Sequence, residues 1–320
     1  IALKEHFMIE TVFSAELPVS EHLTIQKNRI VGLGHDKEGS GRRLAIVTGV
    51  HGDELEGQYV AFELARRLKA SPELLSGTID IYPAVNPLGI NSIERSVPMF
   101  DVDLNRTFPG DEHGELTETL AAAVIGDISG ADVAVDIHAS NIFLREMPQI
   151  RINEISADSL LPIAPLLNVD YVWVHASSTV LESTLAYALN ERGTRTLVVE
   201  TGVGMRITRD YGERLVDGIL RLAASLGMWA GRFRAYRAPI VSRDGAVSYL
   251  NAEAGGIFLP EAEHGTPVIA GQRIGIIADT LTGEVTQTIT APTSGLLFTL
   301  REYPVVYPGS LVARILEDEQ

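Results

Sequence analysis

Residues 44–70 read LAIVTGVHGDELEGQYVAFELARRLKA. Residues 44–50 are apolar and β-branched, the pattern of a buried strand, and residues 56–70 carry apolar side chains at helical spacing. Between them lies a turn holding His51, Asp53 and Glu54, with Gly49 and Gly52 beside them. A strand, a turn and a helix in this order open an α/β fold, and the turn is filled with titratable groups.

The same rhythm continues along the chain. TIDIYPAV (78–85) reads as a strand ended by NPLG, TETLAAAVIGDIS (117–129) as a helix and ADVAVDI (131–137) as a strand. VDYVWVHA (169–176) is a strand, STLAYALNERG a helix closing on Gly193, TRTLVVE (194–200) a strand and residues 211–229 a helix. Ahead of this series, TVFSAELPV and LTIQKNRIVGLG read as short strands and HDKEGSGRR as a loop. Strands alternating with helices predict an α/β fold with a mostly parallel mixed sheet flanked by helices. Near residue 235 the composition changes to short strands and glycine turns, which predicts a small all-β domain. The expected division is therefore a catalytic α/β domain over 1–234 and a β domain over 235–320, in a 320-residue chain too long for one core.

The net charge of −16 and the scarcity of lysine (Lys4, Lys27, Lys37, Lys69) exclude a nucleic-acid partner. Small anions remain candidates, because arginine grips a carboxylate through two parallel hydrogen bonds. Cysteine is absent, so any metal must be held by nitrogen and oxygen. No apolar run is long enough to span a membrane, and the first residues form no signal peptide, so no membrane partner and a cytoplasmic location are expected. The oligomeric state stays open, a homo-oligomer included.

In open α/β sheets ligands bind beyond the carboxyl ends of the strands. Four of the expected strands deliver polar residues there: His51, Asn86, His138 and Glu200. His51 and Glu54, three apart, can face the same way where the turn opens a helix. His138 would complete a set of two imidazoles and one carboxylate, typical of catalytic zinc with one position left for water, although such ligands also suit manganese, iron or cobalt. Taken singly, each residue has a plainer reading: His51 and Glu54 as an exposed turn, His138 as a hydrogen-bonded core histidine, Glu200 as a loop cap. Their coincidence at strand ends favours a site. Asp53 reads as a capping or orienting group. His175, after YVWV, is a reserve candidate for substrate contact, and His6, His22, His35, His113 and His264 read as solvated.

Residues 86–110, NPLGINSIERSVPMFDVDLNRTFPG, are too long and too polar for a simple connection. Asn105 and Arg106 together suit a carboxylate, and Arg95 suits a carbonyl oxygen gaining charge. The plainer reading pairs these arginines with Asp101 or Asp103.

With these motifs in view, GVHGDELEG, NP at 86–87, DLNRTFPG, VDIHAS and VVETGVG occur in the order found in the succinylglutamate desuccinylase/aspartoacylase family, which the chain resembles and which is related to the zinc carboxypeptidases. The resemblance implies a zinc-carboxypeptidase-like fold and one Zn2+ per chain on His51, Glu54 and His138. It further implies Glu200 as general base, Arg95 as carbonyl polariser and Asn105 with Arg106 as carboxylate clamp. A further arginine that some members place before the catalytic glutamate has two competitors here, Arg192 and Arg195. Residues 265–316 resemble the family's biotinyl/lipoyl-like barrel. A swinging-arm carrier fails, because residues 70–320 contain no lysine to modify, so this region reads as a wall or lid over the site. The expected activity is zinc-dependent hydrolysis of the amide of a small N-acyl amino acid. A carboxypeptidase-like peptidase and a non-catalytic metal-binding protein are the rivals; the latter would have no need of Glu200 and the Asn105-Arg106 pair.

Overall fold

A computed structural model describes residues 6–34, 39–175, 182–234, 236–243 and 247–318. Lys4, His35, Lys37 and the end of the expected strand at Ala176 lie outside the described residues. The chain opens with two eleven-residue strands, β1 (Phe7–Leu17) and β2 (Glu21–Val31), paired antiparallel. β1 begins four residues ahead of the stretch read from the sequence, and β2 two residues ahead of its own, extending the ladder between them. Then follow β3 (Arg43–Thr48), α1 (Glu56–Ala70), β4 (Thr78–Tyr82), α2 (Pro87–Ser92), α3 (Leu116–Ile128) and β5 (Val133–His138). The α/β half is completed by β6 (Leu144–Asn153), α4 (Ala157–Leu160), β7 (Tyr171–His175), α5 (Leu185–Glu191), β8 (Arg195–Gly202) and α6 (Arg209–Ser225).

These strands join in the order β1-β2-β4-β3-β5-β8-β6. The centre is parallel, β3 with β4 and β5, and β5 with β8. The flanks are antiparallel, β2 with β4 and β6 with β8. Both faces of the central strands are covered. In β3, Leu44 and Ile46 enter a core with Leu64 of α1 and Ile219 of α6, whereas Ala45 and Val47 enter a second core with Leu120 and Val124 of α3 and Leu189 of α5. Successive side chains of a strand point to opposite faces, which is why a continuous apolar run was required there.

β6 has no counterpart among the predicted strands. Its sequence, LREMPQIRIN, alternates only over residues 149–153, and Glu146 and Gln149 are buried although polar. A hydropathy pattern cannot show a strand whose inward side chains are charged.

The C-terminal part holds β9 (Ile240–Arg243), β10 (Val247–Asn251), β11 (Gly256–Pro260), β12 (Pro267–Val268), β13 (Arg273–Ala278), β14 (Val285–Thr290), β15 (Gly295–Arg301), β16 (Val305–Val306) and β17 (Leu311–Glu317). β14-β13-β11-β16 form an antiparallel sheet. It shares a core of Phe258, Ile277, Leu297 and Ile315 with β15, β17 and β10. β15 also pairs antiparallel with β6, so the large sheet runs unbroken from the α/β half into the C-terminal strands. β9 lies parallel to β7, which itself pairs with β6.

The parallel strands β3, β5 and β8 end at one edge of the sheet, where His138 is in register with Glu200. The chain turns sharply there: Gly49 has φ +67°, a conformation that costs a glycine nothing. Gly52 has a different task, since a Cβ on it would lie 2.0 Å from the backbone of Gly89. Gly52→Ala is therefore expected to lower stability by about 1–3 kcal/mol through overpacking, read as a drop in Tm on thermal unfolding; an unchanged Tm would refute the close packing of this turn.

Candidate active site

His51 and Glu54 sit in the turn from β3 to α1, and His138 is the last residue of β5. All three are almost completely buried. Glu54 stands between the rings: His51 Nδ1 is 2.8 Å from its Oε1 and His138 Nδ1 is 2.9 Å from its Oε2. The two Nδ1 atoms are 3.2 Å apart. The Ala139 N–H donates to Glu54 Oε2 at 3.1 Å and helps fix the carboxylate. One donor atom from each residue lies within 4.8 Å of the others, so the trio could hold a metal ion.

The far nitrogens of both rings face carboxylates. His51 Nε2 is 3.1 Å from Asp103 Oδ1, and His138 Nε2 is 3.0 Å from Asp136 Oδ2. The Asp103 contact is a hydrogen bond, in which Nε2 carries the ring proton and leaves the His51 Nδ1 lone pair toward the centre, whereas Asp136 faces His138 as an ion pair without hydrogen-bond geometry. The donor chemistry thus fits a cation: three Lewis bases converge on one buried point. The titration behaviour agrees. Burial would lower the histidine pKa values, but Asp103 and Glu54 raise that of His51, and Asp136 and Glu54 raise that of His138 well above its usual value. Burial would raise Glu54, yet the two histidines hold it far below the usual carboxylate range.

Asp53 stands apart from the trio and does not cap α1, whose N-terminus has no side-chain cap bond. Its backbone carbonyl accepts the Met205 N–H at 2.7 Å, and its buried carboxyl is pushed up by desolvation and by Glu54. Asn86 is likewise outside the site. Its side chain caps α2, accepting from the Gly89 N–H at 2.9 Å, and its amide donates to the Ser96 carbonyl at 3.0 Å.

A cavity of about 510 Å³ opens on the trio and is also lined by Arg95, Asn105, Arg106, His175 and Glu200. Arg95 donates to Glu54 Oε1 at 2.8 Å and lies 3.6 Å from Asp103. The Asn105 carbonyl oxygen of the side chain accepts the Leu185 N–H at 2.9 Å, so only its NH2 end is left as a donor. Arg106 donates to the Asn105 backbone carbonyl at 2.7 Å. Burial raises the Glu200 pKa against the opposing pull of Arg151, whose Nη1 is 3.5 Å away, and of His138. His175 stacks on Trp173 with ring centroids 4.7 Å apart.

Neither Arg192 nor Arg195 lines this cavity. Arg195 lies at the opposite end of β8, where its Nε donates to the Asp132 carbonyl at 3.3 Å. The additional arginines of the lining are Arg151 of β6 and Arg314 of β17, both overlooked in the sequence, as was Asp136; Asp103, read there only as a partner for arginine, does pair with Arg95 and also meets His51. Asp136 was findable, since it precedes His138 by two in a strand; the arginines were not, because their strands pack around the site from distant parts of the chain.

The fold and the donor set together define an α/β protein with a buried trio of two imidazoles and one carboxylate, able to hold a metal ion, beside its strand ends. The chain belongs to the succinylglutamate desuccinylase/aspartoacylase family, whose catalytic-domain profile matches residues 40–226. It is 26% identical over 313 residues to the N-alpha-acetyl-L-2,4-diaminobutyric acid deacetylase of Halomonas elongata, covering 94% of this chain and 90% of the relative. Among solved structures, a succinylglutamate desuccinylase/aspartoacylase from Rhodobacter sphaeroides superposes with a TM-score of 0.79 at 25% identity, over 98% of this chain and 96% of that one. The product-bound ectoine utilization protein EutE (DoeB) from Ruegeria pomeroyi shares the fold, with a TM-score of 0.81 at 20% identity, over 98% and 95% of the two chains.

Asp136 touches the back of His138 and no other member of the trio. If the trio binds a metal ion, Asp136→Asn is expected to weaken that binding about 10- to 100-fold, measured with zinc by competition with a chromogenic chelator; an unchanged affinity would show that Asp136 does not support His138 as a ligand.

Proposed function

We propose that the protein is a zinc-dependent amidohydrolase that cleaves the amide of a small N-acyl amino acid. One observation carries this reading: the His51-Glu54-His138 trio, Glu200 and the donor pair Asn105-Arg106 line a single cavity. The deacetylase named for the Halomonas relative acts in its name on such a compound, which supports the same substrate class here. A volume of about 510 Å³ suits a small molecule better than a long peptide.

A zinc ion held by His51, Glu54 and His138 would supply Lewis acidity, lowering the pKa of water from about 15.7 to about 7. Glu200, kept basic by burial, takes the proton of the attacking water and returns it to the leaving nitrogen as the C–N bond breaks. Arg95, on the cavity wall beside Glu54, stabilises the negative charge that grows on the carbonyl oxygen. Asn105 and Arg106 offer N–H donors to the substrate carboxylate. With its carbonyl oxygen committed to Leu185, Asn105 presents no acceptor that would repel an anion. Residues 235–320 form the barrel-like β domain that walls the cavity on one side, a reading supported by the place of Arg314 in the lining.

Amine release from acetyl- and succinyl-amino acids by the zinc-loaded protein tests this reading, with turnover of at least one class expected. Stoichiometric zinc with no release from any of them would contradict it. Glu200→Gln should keep its zinc and lose about 10²- to 10⁴-fold in kcat; wild-type turnover in that variant would remove Glu200 from the mechanism.

A further inference from the structure

Glu146 of β6 is a buried carboxylate to which the proposed reaction assigns no task. It is 1% exposed and takes partners from three strands. Its Oε2 accepts from Gln149 Nε2 at 2.8 Å and from the Thr299 hydroxyl of β15. Its Oε1 accepts from Arg314 Nη1 of β17 at 2.7 Å and from Arg151 Nη2 at 3.4 Å. A carboxylate removed from water this completely is costly unless its oxygens are satisfied, and here both oxygens are.

The other terminal nitrogen of Arg151 faces Glu200. At 3.5 Å from Oε1 it forms an ion pair without the geometry of a hydrogen bond. The guanidinium is thus divided between two carboxylates. A bidentate guanidinium would occupy both oxygens of Glu200, the atoms that must receive a proton from water. Glu146 competes for the same cation and prevents that pairing.

We propose that Glu146 is a positioning residue for the amide hydrolysis: it holds Arg151 at a distance that orients Glu200 while leaving an oxygen of the base to water. Glu146 is itself held by Thr299 and Arg314, so the C-terminal strands act on the catalytic base through this chain of side chains. The inference rests on Glu200 being the base.

Thr299 tests it cleanly, being fully buried and absent from the cavity lining. Thr299→Val keeps the shape and removes the hydrogen bond to Glu146 together with the long one, 3.5 Å, that the hydroxyl accepts from Arg314 Nη1, whereas Thr299→Ser keeps the hydroxyl and both contacts. In steady-state amine release by the zinc-loaded full chain, Thr299→Val should lose about 10-fold in kcat with KM and metal content unchanged, and Thr299→Ser should retain wild-type kcat. Glu146→Gln should lose about 100-fold in kcat, again at constant KM. Wild-type kcat in Thr299→Val, or an equal loss in the Val and Ser variants, overturns the proposal even if Glu146→Gln fails to fold. Such results with an active wild type overturn this inference alone. A wild type that hydrolyses no N-acyl amino acid overturns the underlying reading and this inference with it.

Discussion

Two imidazole nitrogens 3.2 Å apart, both facing one buried carboxylate, form an arrangement that positive charge at its centre stabilises. Protons can supply that charge, which is why both histidine pKa values rise although burial opposes it. A divalent cation can supply it too, and Asp103 behind the His51 ring prepares the site for one by holding the ring proton at the far nitrogen. The rest of the molecule serves to hold this unstable concentration of lone pairs in place.

The parallel centre of the sheet is the means. His138 and Glu200 are in register on neighbouring strands, and His51 lies three residues past the end of the adjoining β3, so backbone hydrogen bonds of the sheet set the frame from which all three are aimed. Cores on both faces fix the strands. Antiparallel β6 then closes the cavity on the other side of β8 and joins the C-terminal strands to the same sheet. Chemistry that depends on a proton donor and acceptor held within tenths of an ångström needs such rigidity.

Much of this was legible in the sequence. Residues 44–50 read as a strand buried on both faces, and the titratable turn after it pointed to a site only together with His138, Glu200 and the Asn105-Arg106 pair. His51, Glu54, His138, Asn105, Arg106 and Glu200 could be chosen because each follows an apolar strand or sits in a long polar loop. Other features were hidden for physical reasons. β6 buries Glu146 and Gln149 beside Ile150 and Ile152, so its polar and apolar residues do not separate by face. Arg151 and Arg314 reach the cavity only because β6 and β17 are brought together through β15, a pairing between residues more than 150 positions apart. Arg192 and Arg195 looked suitable by their proximity to Glu200 in sequence, but Arg195 lies at the wrong end of β8, away from the strand ends that form the site.

The central claim is that His51, Glu54 and His138 bind one metal ion through Nδ1, a carboxylate oxygen and Nδ1. Anomalous diffraction at the zinc edge from crystals of the zinc-loaded protein tests it most directly. The account predicts one strong anomalous peak per chain, within bonding distance of those three donors. A fully zinc-loaded protein with its anomalous peak elsewhere, and none among these residues, would contradict it.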